Sequence, residues 1–134
     1  MEKIGDVSLV YPADSETLQF PWGTIRFLAS PEVTGAKDIS FGIVRAEPGP
    51  GHSLHSHDGA EEIIYVLEGE GELIVEGHDP VPLVPGGSIF IPPGAKHSTR
   101  NTGTGTFTTL IVYSPPGPEE SLKNDPECSV LPPG

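Results

Sequence analysis

Turn residues recur at short, nearly regular intervals along this chain, and that spacing limits its possible folds more than any other feature. Pro-Gly-Pro-Gly at 48–51, Asp58-Gly59, Gly69-Glu70-Gly71, Gly77-His78-Asp79, Pro85-Gly86-Gly87, Pro92-Pro93-Gly94 and Asn101-Thr102-Gly103 each mark a chain reversal. Most of them separate short runs rich in β-branched and aromatic residues: TIRFLA (24–29), ISFGIVRAE (39–47), EIIYVLE (62–68), ELIVE (72–76), PVPLV (80–84), SIFIP (88–92) and TFTTLIVYS (106–114). No run is long enough for an ordinary helix, so the pattern predicts an all-β, antiparallel sandwich or barrel over residues 23–114. Helical periodicity is confined to one candidate turn at residues 118–123. Residues 1–22 read as an irregular segment packed on the barrel through Leu9, Tyr11, Phe20 and Trp22. Residues 115–134 read as an extended Pro-rich tail.

Composition narrows the partners. The 134 residues suit one domain, and 19 acidic against 7 basic side chains give a formal net charge of −12. Such a surface repels a phosphate backbone and an anionic bilayer, so neither nucleic acid nor membrane is an expected partner. No apolar stretch suits a signal peptide or a membrane span, and the expectation is a cytoplasmic protein. Cys128 is the single cysteine. A metal site would therefore draw on histidine and carboxylate.

In the run from Glu62 to Glu68, Ile64 and Val66 occupy one face while Ile63, Tyr65 and Leu67 occupy the other. A half-solvated strand alternates apolar with polar residues, so this one is expected to be covered on both sides. The barrel interior covers one; a second sheet, the N-terminal segment or another subunit covers the other. A homodimer is the expected assembly.

Three of the five histidines fall within residues 52–57. His55 and His57, two apart on what reads as a strand, project from one face and can converge on one ion. His52 is out of phase with them and reads as a loop histidine. The Asp58-Gly59 turn brings the next strand back antiparallel, so that Glu61 or Glu62 faces the pair, and a carboxylate inside a barrel needs a cation.

Two spaced patterns run through this region. The first, G-x5-H-x-H-x4-E-x6-G, falls on Gly49, His55, His57, Glu62 and Gly69; the second, G-x5-P-x-G-x2-H-x3-N, falls on Gly86, Pro92, Gly94, His97 and Asn101. On these residues the chain resembles the cupin superfamily, over roughly residues 38–114. The resemblance implies an antiparallel double-stranded β-helix, or jelly-roll, barrel. It selects Glu62 over Glu61 and implies a metal held by His55, His57, Glu62 and His97. One departure is Pro85-Gly86-Gly87, where many relatives have Pro-Gly-Asp.

Three imidazoles and a carboxylate suit one divalent transition metal per chain: Fe, Mn, Ni, Co, Cu or Zn. The local charge is then near +1, which favours an anionic or chelating small molecule. Arg26, Arg45, Phe90 and Tyr113 are candidates for the wall of a substrate pocket, with Lys96, Arg100, Trp22 and Tyr65 as further basic and aromatic candidates. Two functions are compatible with these residues: a small metal-dependent enzyme of oxygenase, decarboxylase, isomerase or lyase type, or a non-catalytic module binding a sugar or organic acid.

Overall fold

Alternation of side chains across each short run sets which residues point into the barrel. In the computed structural model, which describes residues 1–134, the chain forms β1 (Glu2–Ile4), β2 (Val7–Leu9), a 3-10 turn (Pro12–Asp14), β3 (Thr17–Phe20) and β4 (Gly23–Ala29). There follow α1 (Pro31–Thr34), β5 (Ser40–Ala46), β6 (Glu61–Glu68), β7 (Gly71–Val75), β8 (Val81–Leu83), β9 (Ser88–Ile91), β10 (His97–Asn101), β11 (Phe107–Ser114), α2 (Pro118–Lys123) and β12 (Ser129–Leu131). A seven-stranded sheet runs in the order β12-β3-β4-β5-β11-β6-β9, and a three-stranded sheet in the order β10-β7-β8. Every pairing is antiparallel. The fold is an all-β jelly-roll barrel.

The core lies on the inner face of the large sheet. Ile25 and Phe27 of β4, Ile64 and Val66 of β6, Ile91 of β9, and Phe107, Ile111 and Tyr113 of β11 are all buried. Glycine is required at several close approaches of backbone, two of which lie in loops between strands. Gly69 has φ +90°, and a Cβ there would strike the Thr106 carbonyl; a Cβ on Gly51 would strike the Thr99 carbonyl. The first closes the turn between β6 and β7. The second lets residues 49–57 lie against β10, where Gly49 and His55 bridge to Asn101 and His97.

The structure corrects two expectations about the ends. Residues 1–22 are not irregular: β1 and β2 form a hairpin, and β3 pairs with β4 inside the large sheet, burying Leu18 and Phe20. Leu9 and Tyr11, by contrast, stay exposed. Residues 115–134 are not an extended tail, because α2 places Leu122 in the core and β12 pairs with β3. The reason is anchoring that hydropathy does not reveal. Buried Glu119 accepts hydrogen bonds from Ser40 Oγ at 2.8 Å and from the Gly117 amide, while Lys123 reaches Glu16 and Glu32. Asn101 ends β10 and begins the next turn, as expected; its side chain donates to the Ala46 and Gly105 carbonyls and accepts from the Gly103 amide.

The outer face of β6 is uncovered by this chain: Ile63, Tyr65 and Leu67 are exposed. In register, Phe41 pairs with Val112, Val112 with Ile63 and Ile63 with Phe90, forming an apolar row across four strands. Ile43, Leu110 and Tyr65 form a second row beside it.

Because Leu122 fills the core from outside the barrel strands, Leu122→Ala is expected to lower stability by about 2–5 kcal/mol in chemical denaturation. A loss under 0.5 kcal/mol would show that α2 is a detachable appendage.

Candidate metal centre

Four side chains, one from each sheet and two from the connection between β5 and β6, meet at one end of the barrel. Glu62 enters from the second position of β6, opposite Tyr113 and Ile91 on its neighbours, and is 4% exposed; Glu61 points outward. His97 opens β10 and is buried. His55 and His57 lie on the 47–60 connection rather than on a regular strand, a correction to their expected setting. They are held by the paired amide–carbonyl bonds between His55 and His97 and by the Gly94 amide bonding the His57 carbonyl.

The nitrogen donors of His55, His57 and His97 lie within 4.8 Å of one another. Glu62 Oε1 is 3.0 Å from His97 Nε2 and 3.4 Å from His57 Nε2. Donors around a first-row divalent ion at bond lengths near 2.1 Å stand about 3–4 Å apart, so the spacing fits one ion. Backbone carbonyls also set the ring tautomers. His55 Nδ1 bonds the Ser53 carbonyl at 2.7 Å and His97 Nδ1 the Ala95 carbonyl at 2.9 Å. A carbonyl only accepts, so each Nδ1 carries a proton and Nε2 is the nitrogen available to a metal; on His97 that nitrogen donates to Glu62 when no metal is bound. His57 Nε2 is buried with no hydrogen-bond partner. An orphan of this kind costs free energy unless a ligand satisfies it. The residues present fit a divalent metal.

Electrostatics at the site are coupled. Burial alone would raise the Glu62 pKa, but the neighbouring His57 and His97 imidazoles outweigh it and hold the carboxyl below its ordinary range. For His97, burial lowers the pKa, while the hydrogen bond to Glu62, the Ala95 carbonyl and the Glu62 charge together raise it. Burial pulls His55 down to about 4, helped by the neighbouring histidine charges. Burial, then the charges of Glu62 and Glu119, pushes the Tyr113 hydroxyl well above its usual range, so it stays protonated. Its ring packs edge-on against His57, centroids 4.9 Å apart.

Behind these groups is an inner cavity of about 60 Å³, walled by Trp22, Ile25, Val44, Phe107 and Ile111 beside Thr99 and Thr109. In front is a mouth of about 560 Å³ between residues 55–60 and residues 115–125. Of the expected pocket residues, the inner cavity takes only Tyr113. Arg26 bonds the Pro12 and Gly134 carbonyls, Arg45 is exposed, and Phe90 is 59% exposed on the outer face. The reason is strand parity: Ile25 and Phe27, Val44 and Ala46, and Ile91 take the inward positions beside them. Trp22 lines the inner cavity, whereas Tyr65 is exposed, Lys96 pairs with Glu76 and Arg100 with Glu72.

His52 lies on a loop, as expected, yet its ring turns toward the site. It lines both cavities, with Nδ1 2.9 Å from His55 Nδ1 and Nε2 3.7 Å from an Asp125 oxygen. Trp22 and Phe20 pack against its ring. The signal available was Gly51: a residue without a side chain beside a histidine allows the backbone to press against β10 and turn the ring inward.

Comparison with known proteins agrees with this architecture. The chain is 33% identical over 100 residues to "Polyketide synthase CurC" of Streptomyces cyaneus, covering 75% of this chain and 64% of that protein. It is 38% identical over 85 residues to an oxalate-binding protein of Thermotoga maritima, covering 63% and 69%. The crystal structure of a predicted oxalate decarboxylase from Thermotoga maritima superposes with a TM-score of 0.67 at 29% identity, over 81% of this chain and 100% of that one. The alignment thus spans a little under two thirds of the polyketide synthase protein's length. Residues 42–113 match the model of the cupin domain, and the chain belongs to the cupin family.

Proposed function

We propose that the chain is a mononuclear metal-dependent enzyme acting on a small chelating molecule, with His55, His57, Glu62 and His97 as the ligands. The observation that carries this is the orphaned His57 Nε2, buried beside Glu62 with His97 Nε2 and opening on a cavity large enough for a substrate. A bound Fe, Mn, Ni, Co, Cu or Zn ion supplies Lewis-acid or redox chemistry, and six-coordination leaves two positions for substrate or water. The apolar inner wall limits water at the site, and the protonated Tyr113 hydroxyl is a hydrogen-bond donor next to Glu62. A second reading, a non-catalytic small-molecule binder, is favoured by the likeness to the oxalate-binding protein. Metal analysis after purification without chelator, followed by O2 uptake and product analysis with diketones, catechols and hydroxy acids, separates the two.

Removing any one of the three histidines is expected to weaken metal binding about 10–100-fold or more, since a donor is lost and Glu62 is left less compensated. His55→Ala, His57→Ala and His97→Ala should each lose stoichiometric metal, and Glu62→Gln should do so where Glu61→Gln does not. Full metal content in all three histidine variants would contradict the ligand set.

Acid should release the metal. The histidine ligands bind as neutral imidazoles, each competing with a proton, so occupancy at limiting metal is expected to fall over roughly pH 6 to 4.5. In the metal-free protein His55 titrates near 4, below an unfolded histidine. The unfolded chain binds that proton first, so stability falls between about pH 6.5 and 4. The Glu62 contribution is lost as pH falls from the ordinary carboxylate range to its depressed pKa, whereas His97 favours the folded state as pH falls from its raised pKa to the unfolded histidine value, above this window. Melting temperatures across this range should therefore fall more steeply with metal than without. Equal slopes would show that metal is not linked to folding.

We further propose that two chains pair through the apolar rows on the outer face. Light scattering should give twice 14.1 kDa, and Ile63→Glu or Phe90→Asp should return a 14.1 kDa particle. A native particle of 14.1 kDa at micromolar concentration would refute the pairing.

A further inference from the structure

Neither cavity at the site is lined by a lysine or an arginine. Arg26, Lys96, Arg100 and Lys123 are each engaged by carbonyl or carboxylate groups away from both cavities. The mouth instead carries Asp58 and Asp125 on its opposite walls. Asp58 is exposed and has no ion-pair partner. Asp125 uses one oxygen to accept the Glu127 amide and turns the other toward His52 Nε2. Between these walls lies His57, whose side chain is 10% exposed and whose Nε2 is buried and unpartnered. The cleft therefore has a cation-binding donor at its floor and carboxylates at its rim.

The two cavities also divide the ligand. The inner cavity, about 60 Å³, admits only a small group, so the bulk of any substrate occupies the 560 Å³ mouth, between the two aspartates. A divalent ion with three neutral imidazoles and one carboxylate carries a net charge near +1. One anionic chelating group neutralises it, and a second would face Asp58 and Asp125 with no cation to receive it.

Resting on the metal-dependent reading above, we infer that the substrate is a zwitterion or its close analogue. It has one carboxylate or enolate for the metal and a cationic end, of ammonium or sulfonium type, lying between Asp58 and Asp125. Phosphate esters and dicarboxylates are disfavoured. The apolar inner wall gives specificity for small uncharged substituents next to the chelating group, and the acidic mouth gives specificity for charge.

The test uses the cobalt-loaded full chain and follows the visible absorption of the metal as three ligands of matched length are added. They are a trimethylammonio propanoate, its tert-butyl isostere with carbon in place of nitrogen, and succinate. The expected order of affinity is cation-bearing, then neutral, then dianionic, with about tenfold or more between the first and the last. In the Asp58→Asn, Asp125→Asn double variant the three should fall within about twofold of one another, with cobalt content unchanged. Succinate binding as tightly as the cation-bearing ligand, or an order preserved in the double variant, would overturn the inference. Failure to take up cobalt would instead overturn the metal-dependent reading on which it rests.

Discussion

Everything at the functional end of this barrel turns on one buried carboxylate. Glu62 is 4% exposed in a wall otherwise made of Ile64, Ile91, Ile111 and Tyr113, and its charge is met there only by imidazoles. An ionised carboxylate in such a setting costs several kcal/mol unless paired. The chain answers by binding the two sheets together at this point: β6 supplies the carboxylate, β10 supplies His97, and the connection between β5 and β6 supplies His55 and His57. Without metal, His97 is its closest partner, at 3.0 Å. On the proposed reading the same nitrogen becomes a metal ligand, so that occupancy, protonation and the joining of the two sheets would be one equilibrium.

The ligand geometry explains why so much backbone is devoted to so few side chains. His55 and His97 bond each other's backbones in both directions, and the Ser53 and Ala95 carbonyls hold their Nδ1 atoms. Gly51 allows the approach that makes this possible, with no Cβ to strike the Thr99 carbonyl. The mouth is built differently, from α2 and the residues on either side of it, anchored by Leu122 in the core and by Glu119 on Ser40. A rigid floor and a wall drawn from outside the barrel strands suit a family in which one scaffold serves several chemistries.

The barrel was legible because its turns are chemically explicit and its strands short. His55, His57, Glu62 and His97 were legible because the two glycine-framed patterns carry their spacing. What escaped notice did so for definable reasons. The strand Thr17–Phe20 is too short to show alternation against an irregular flank, and its pairing with β12 is non-local. The segment after Pro115 is ordered by a buried carboxylate and one leucine, neither of which stands out from a polar, Pro-rich stretch. Arg26, Arg45 and Phe90 were placed in the pocket on chemistry alone, although Ile25, Val44 and Ile91 hold the inward positions beside them. Glu62 itself fixes the parity of β6, and carrying that parity through the sheet register would have put Phe90, which pairs with Ile63, outside.

The claim at the centre of this account is that three imidazoles and one carboxylate hold a single ion, and X-ray absorption of the zinc-loaded protein tests it most directly. The account predicts one zinc per chain, nitrogen and oxygen neighbours at about 2.0–2.2 Å with no sulfur, and outer-shell scattering equivalent to three imidazoles. Outer-shell scattering from one imidazole or none, or a sulfur neighbour from Cys128, would contradict it.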